Sequence, residues 1–188
     1  MHRAFRGLRA FHVARGFTLL ESMVVVAILA VLAALAGPSL VPVIERWRVR
    51  QAVEEMTGTI ALARSEAIKR GGNVAVRRST PDAAQCALAA QVTNWNCGWT
   101  VFDDVNGNGV QDSGEETLRE SSPLSGVTAT NADAAGASFL LTRWGSLQGG
   151  GSVAFAFASA RSGSTVQTAL CLGAGGRARA KPGVNTCD

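Results

Sequence analysis

The chain has 188 residues, with 18 Lys and Arg, 14 Asp and Glu, and a formal net charge of +4. That length suits one domain plus a long helix. The charge excludes a uniformly basic nucleic-acid coat: Arg3, Arg6, Arg9 and Arg15 lie in the first sixteen residues with no acid, and without them basic and acidic counts are equal. Both histidines, His2 and His12, sit in the same stretch. The rest of the chain therefore has no Ser-His-Asp or Cys-His set, and no enzyme is expected.

Residues 17–36 read FTLLESMVVVAILAVLAALA, with Glu21 the one charge. A helix of roughly 20 apolar residues crosses a bilayer. The preceding arginines should remain cytoplasmic and send the rest of the chain outward. The best cleavage point, after Gly16, lies before the apolar run. A secretory signal is cut after its run instead. The expected divisions are a leader at 1–16 and a membrane helix at 17–37. A lone carboxylate in an apolar helix calls for a partner. Cleavage would supply one, the α-amine of Phe17, on this chain or a neighbour.

The run Arg15-Gly16-Phe17-Thr18-Leu19-Leu20-Glu21 before an apolar helix resembles the type IV prepilin signature. That resemblance implies cleavage after Gly16 by the prepilin peptidase, N-methylation of Phe17, and docking of Glu21 on the Phe17 amine of another subunit. It also implies a single-pass protein of the bacterial inner membrane, its C-terminal domain in the periplasm, that then joins a pilus or pseudopilus. Pro38, where pilins commonly carry a helix-breaking proline, and Pro42 should kink or melt the helix.

Residues 38–71 continue as an amphipathic helix. Ile44, Trp47, Val53, Met56, Ile60, Ala63, Ala67 and Ile68 recur mostly at spacings of three and four, which predicts a stripe packed on a sheet, with Trp47 and Met56 in the core. Gly71-Gly72 is the stop. Residues 72–188 read as a β-rich domain, with short apolar or alternating runs at 73–79, 98–103, 116–120, 126–130, 137–141, 152–159 and 165–172. Gly, Asn, Ser and Asp separate them.

Cys86, Cys97, Cys171 and Cys187 all follow the apolar helix. An even count in an exported domain favours two disulfides, and three connectivities exist. Closeness in sequence favours Cys86–Cys97 and Cys171–Cys187. Zinc is disfavoured, because no C-x-x-C occurs and no histidine remains.

Two further segments carry possible chemistry. From Asp104 to Glu115, the oxygen donors Asp104, Asn106, Asn108, Asp112 and Glu115 fall at the spacing of an EF-hand calcium loop, with Gly109 at its sixth position. The flanks look like strands, however, and a polar hairpin turn explains the same residues. Apart from calcium, no cofactor is expected. The second segment is Gly175-Gly176-Arg177-Ala178-Arg179-Ala180-Lys181-Pro182. In an extended strand its three cations would share a face, about 6.7 Å apart, and could follow a phosphate backbone. On pattern alone, a solvated edge strand that resists aggregation is the better explanation of the row.

The segment Ile60-Ala61-Leu62-Ala63-Arg64-Ser65-Glu66-Ala67-Ile68-Lys69-Arg70-Gly71, with Trp99, Phe102-Asp103 and the Asn-Gly turn after them, is similar to the GspH/FimT family of minor pseudopilins and minor type IV pilins. This implies an α+β, type IV pilin-like fold: a long N-terminal transmembrane and amphipathic helix packed on an antiparallel β-sheet domain. Gly176-Arg177-Ala178-Arg179 matches the GRxR motif of FimT-like pilins, which bind DNA in natural transformation. Carried over, Arg177 and Arg179 would contact phosphates, with Lys181 assisting. No aromatic residue lies in that loop, so weak, sequence-independent, salt-sensitive binding is expected. The expectation is thus a DNA-binding minor pilin; the alternative is a GspH-like pseudopilin of type II secretion with a structural role alone.

Overall fold

The computed structural model describes residues 17–80, 91–131 and 136–187, without the side chains of 34–39. The chain divides into two compact units, Met1–Val41 and Pro42–Asp188. One helix, α1 (Leu19–Arg70), has its ends in both. It runs through Pro38 and Pro42, so the expected melting is not seen.

In the first unit every described large apolar side chain from Phe17 to Leu32 is exposed. Among the described residues no helix is long and apolar enough to cross a membrane. The apolar run read at 17–36 extends into 34–39, whose side chains are outside the description.

Among the described residues the second unit holds eight strands. β1 (Val74–Arg78), β2 (Trp99–Asp103), β3 (Thr117–Glu120) and β5 (Ser138–Leu141) form one antiparallel sheet in the order β3-β2-β1-β5. β4 (Val127–Asn131), β6 (Val153–Ser159), β7 (Gln167–Leu172) and β8 (Ala178–Pro182) form a second, in the order β4-β6-β7-β8. All seven runs read as strands are present. β8, the conditional one, is the edge of the second sheet.

A single core joins these layers. Val49, Ala52, Val53, Met56, Ile60, Ala63 and Ala67 of α1 meet Val76, Trp99 and Phe139 of the first sheet and Phe155, Phe157, Leu170 and Leu172 of the second. The alternation along β6 explains its contribution: Val153, Phe155 and Phe157 point inward between alanines. Trp95 supports the centre, edge-on to Phe155 at a centroid distance of 5.0 Å. Thr59, buried on α1, accepts a 2.9 Å hydrogen bond from Trp99 Nε1 and so fixes helix to sheet. The whole core cluster lies within Pro42–Asp188.

The stripe on α1 differs from its sequence reading at both ends. Trp47 is 60% exposed, and Ile44 and Ile68 are exposed too. At 3.6 residues per turn Trp47 falls about 180° from Met56. Spacings of three and four accumulate phase error across the gap before Val53, and the buried line runs through Val49 and Ala52 instead. The helix ends as expected: Gly71 and Gly72 take φ of 87° and 119°, and the Gly72 amide donates to the Ala67 carbonyl at 2.7 Å.

Candidate nucleic-acid interface

The basic row is built on the β7–β8 hairpin. The amide of Gly176 donates to the Gly173 carbonyl at 2.8 Å, and that of Gly173 to the Arg177 carbonyl at 3.1 Å, closing the turn. Gly176 is buried with φ of 73°. A Cβ there would fall on the Gly145 carbonyl oxygen, so only glycine fits.

Along β8, Ala178 and Ala180 pair with Leu172 and Leu170 and share their inward face. Arg179 and Lys181 therefore take the opposite face, beside Cys171 and Ala169. Arg177, one residue before the strand, continues that row. Arg177 and Arg179 are exposed and have no ion pair or side-chain hydrogen bond among the described residues. Lys181 differs: it is half-buried, and its Nζ donates to the Cys187 carbonyl at 3.0 Å.

Cys171 and Cys187 form a disulfide with a Cα separation of 5.6 Å. Cys171 lies opposite Arg179 in the strand pairing, so the bond clamps the C-terminal segment beside the row. Cys97 is also disulfide-bonded. Its expected partner, Cys86, lies outside the described residues.

Arg161, the other cation of this region in sequence, is held elsewhere. It pairs with Glu45 at 3.2 Å, and Glu45 also accepts from Ser164 Oγ at 2.6 Å. These contacts, the Ser164 hydroxyl foremost, hold the Glu45 carboxyl below its ordinary range. Arg70 is engaged in the same way, by Glu66 at 2.9 Å, Asp103 at 3.0 Å and Glu116 at 2.7 Å.

The calcium-like loop turns its oxygens onto its own chain. Asp104 is fully buried and accepts from the amides of Asn108, at 3.1 Å, and Gly109, at 2.7 Å. Asp112 accepts from the side-chain amides of Asn106 and Asn108, both at 2.8 Å, which hold its carboxyl below the ordinary range. Glu115 accepts from the amides of Val105 and Asp112 at 2.9 Å. These are the bonds of a self-capped turn. Among the described residues no group of three or more His, Cys, Asp or Glu side chains is placed to hold a metal ion. The loop also lies over the outer face of the first sheet: Gly109 sits against Ser138 and Leu140, and its carbonyl accepts from Arg77 at 3.0 Å.

At the N-terminus, Gly16 lies outside the described residues. Phe17 is exposed. Thr18 caps α1, its Oγ1 accepting from the Glu21 amide at 3.2 Å. Thr18-Leu19-Leu20-Glu21 thus has the spacing of a capping box, a signal the sequence reading overlooked. Glu21 makes no ion pair among the described residues.

Residues 52–176 match the family described as type II transport protein GspH. The chain belongs to the GspH family. Residues 12–37 match the prokaryotic N-terminal methylation motif. The fold of this GspH-family chain is similar to that of the type IV minor pilin FimU of Pseudomonas aeruginosa (strain PAO1) in two crystal forms. The identity is 22% in both. In one form the TM-score is 0.52, with 71% of this chain and 93% of that chain covered. In the other it is 0.54, with 73% and 91% covered. No curated protein matches. The family is structural rather than enzymatic. With the methylation motif it implies prepilin processing, membrane anchoring and association with other pilin or pseudopilin subunits.

Proposed function

We propose that this GspH-family protein is a minor type IV pilin that binds DNA without sequence preference, for uptake in natural transformation. Processing after Gly16, methylation of Phe17 and docking through Glu21 would place it in the filament. Its first apolar segment would span the inner membrane, with the Pro42–Asp188 unit in the periplasm. The observation that carries the reading is the state of Arg177 and Arg179: exposed, without partners among the described residues, and held by a disulfide-clamped hairpin. Arg70 and Arg161 are ion-paired, whereas Arg46, Arg48, Arg50 and Arg119 are exposed with no ion pair among the described residues; what marks Arg177 and Arg179 is their place in one row on a clamped hairpin. A purely structural subunit of a type II secretion pseudopilus, the alternative, has no need of such a basic row.

The test is fluorescence anisotropy of labelled duplex DNA with the Pro42–Asp188 unit. Two phosphate contacts predict a log–log salt slope of about −1.8, at about −0.9 per contact, and Lys181 would bring it to about −2.7. The Arg177→Ala/Arg179→Ala variant is expected to lose binding while its stability stays within about 0.5 kcal/mol of the parent, as for other exposed substitutions. Absence of binding at low salt by the folded, oxidised unit would favour the pseudopilin. Several copies along a filament would raise the avidity of a weak site.

A further inference from the structure

The sequence places no aromatic residue near the basic row, but the fold does. Trp144 stands at the tip of the turn from Thr142 to Ser146, between β5 and β6. Four hydrogen bonds fix that turn. The Thr142 amide donates to the Ser146 carbonyl and the Gly145 amide to the Thr142 carbonyl, both at 2.8 Å. The two hydroxyls, Thr142 and Ser146, meet at 2.6 Å, and the Trp144 amide donates to Thr142 Oγ1 at 3.3 Å. On this rigid support Trp144 is 74% exposed, while Trp95 and Trp99 are fully buried.

The same turn packs on the β7–β8 hairpin. The Gly145 carbonyl lies against Gly176, where a side chain would collide with it. Beside it, the Leu147 amide donates to the Ala174 carbonyl at 2.8 Å. Trp144 and Arg177 are each one residue from this glycine–glycine contact. Successive Cα atoms are about 3.8 Å apart, so the backbones of these two exposed residues lie within a few nucleotides' length of each other. Arg143 adds a further exposed cation, its guanidinium carbon 5.2 Å from the Trp144 ring centroid.

A single exposed aromatic residue is ordinary on its own. A rigidly held tryptophan next to two unpaired arginines is the combination used for single strands: cations follow the backbone and the ring stacks on an unpaired base. In a duplex the base faces are already covered by their neighbours, and the ring has nothing to stack on.

Resting on the DNA-binding reading above, we infer that Trp144 is a base-stacking platform. With Arg143, Arg177 and Arg179, it makes this surface prefer single-stranded over duplex DNA.

The test uses the chain from Phe17 onward in zwitterionic micelles, with a fluorescein-labelled oligothymidylate and a mixed-sequence duplex of equal length, at fixed low salt. The parent is expected to bind the single strand more tightly. Trp144→Ala should weaken single-strand binding about tenfold, within the range of one base–aromatic stack, and change duplex binding less than twofold. Trp144→Phe should restore most of the loss. In a Trp47→Phe background, where Trp144 is the exposed tryptophan, the single strand should quench intrinsic fluorescence and the duplex should not. Equal weakening of both ligands by Trp144→Ala, or no weakening of either, overturns the stacking role. If Arg177→Ala/Arg179→Ala still abolishes binding in that case, the DNA-binding reading stands alone. A parent that binds neither ligand overturns both.

Discussion

Two polar hairpin loops of the same domain use charge in opposite ways. The loop from Asp104 to Glu115 is acidic, and its carboxylates accept from amides of the loop itself. The β7–β8 hairpin is basic, and Arg177 and Arg179 are exposed without partners among the described residues. Both looked like ligand sites in the sequence. The contrast teaches that spacing alone does not tell how a loop uses its charges: one loop satisfies them by hydrogen bonds within the chain, and the other leaves two of them without partners among the described residues.

The largest effect that sharpens this contrast should come from the basic side. Replacing both Cys171 and Cys187 with Ser opens a loop of sequence separation 16. Loss of about 3 kcal/mol is expected for a loop of this size. Urea denaturation would measure it, and DNA affinity should fall as well, because the hairpin loses its clamp. Unchanged affinity in the still-folded double variant would show that strand pairing alone fixes the row.

Asp104→Ala tests the acidic side. It strands the amide of buried Gly109, while that of Asn108 keeps its 3.0 Å bond to Asn106 Oδ1, and a loss of about 2 kcal/mol is expected. DNA affinity should not change. If stability were unaffected, the loop would not be self-satisfied and the contrast would fail.

The smallest effect is in acid. The amides of Asn106 and Asn108 hold Asp112 below its ordinary value of 3.8. A depressed carboxyl contributes stability above its unfolded pKa, and that contribution is lost as pH falls through the lower folded value. Between neutral pH and about pH 5 the thermal midpoint should not respond to Asp112, and below about pH 4 it should begin to fall. Asp112→Asn should show a shallower fall in acid. An identical acid limb in the two proteins would count against the Asn106 and Asn108 bonds.

The elements were legible wherever a local period or a turn residue defined them. The seven strand runs and the Gly71-Gly72 stop are of this kind. The phase of the α1 stripe was less legible, because Ile44 and Trp47 satisfy the spacing while lying on the solvent side. Trp144 was missed for a different reason. It is far from Arg177 in sequence, and only the contact between Gly145 and Gly176 brings the two together. A tryptophan after an arginine in a stretch otherwise rich in Gly and Ser was the available signal. Likewise, nothing in the row Arg177, Arg179, Lys181 shows that the third cation is tethered to the C-terminal segment while the first two have no partner among the described residues.

The contact beneath Gly176 bears on how the Gly-Arg-x-Arg signature should be used to sort relatives. Its glycine is required by the backbone of a neighbouring turn, whatever the surface binds. Under the proposed DNA-binding role, relatives without that role are therefore expected to keep the glycine and lose the arginines. Under that role, a survey that scores the glycine would overcount DNA-binding relatives, whereas one that scores the two guanidinium positions would not. Binding assays on domains that retain Gly but carry neutral residues at the two arginine positions would settle whether the glycine has any predictive value of its own.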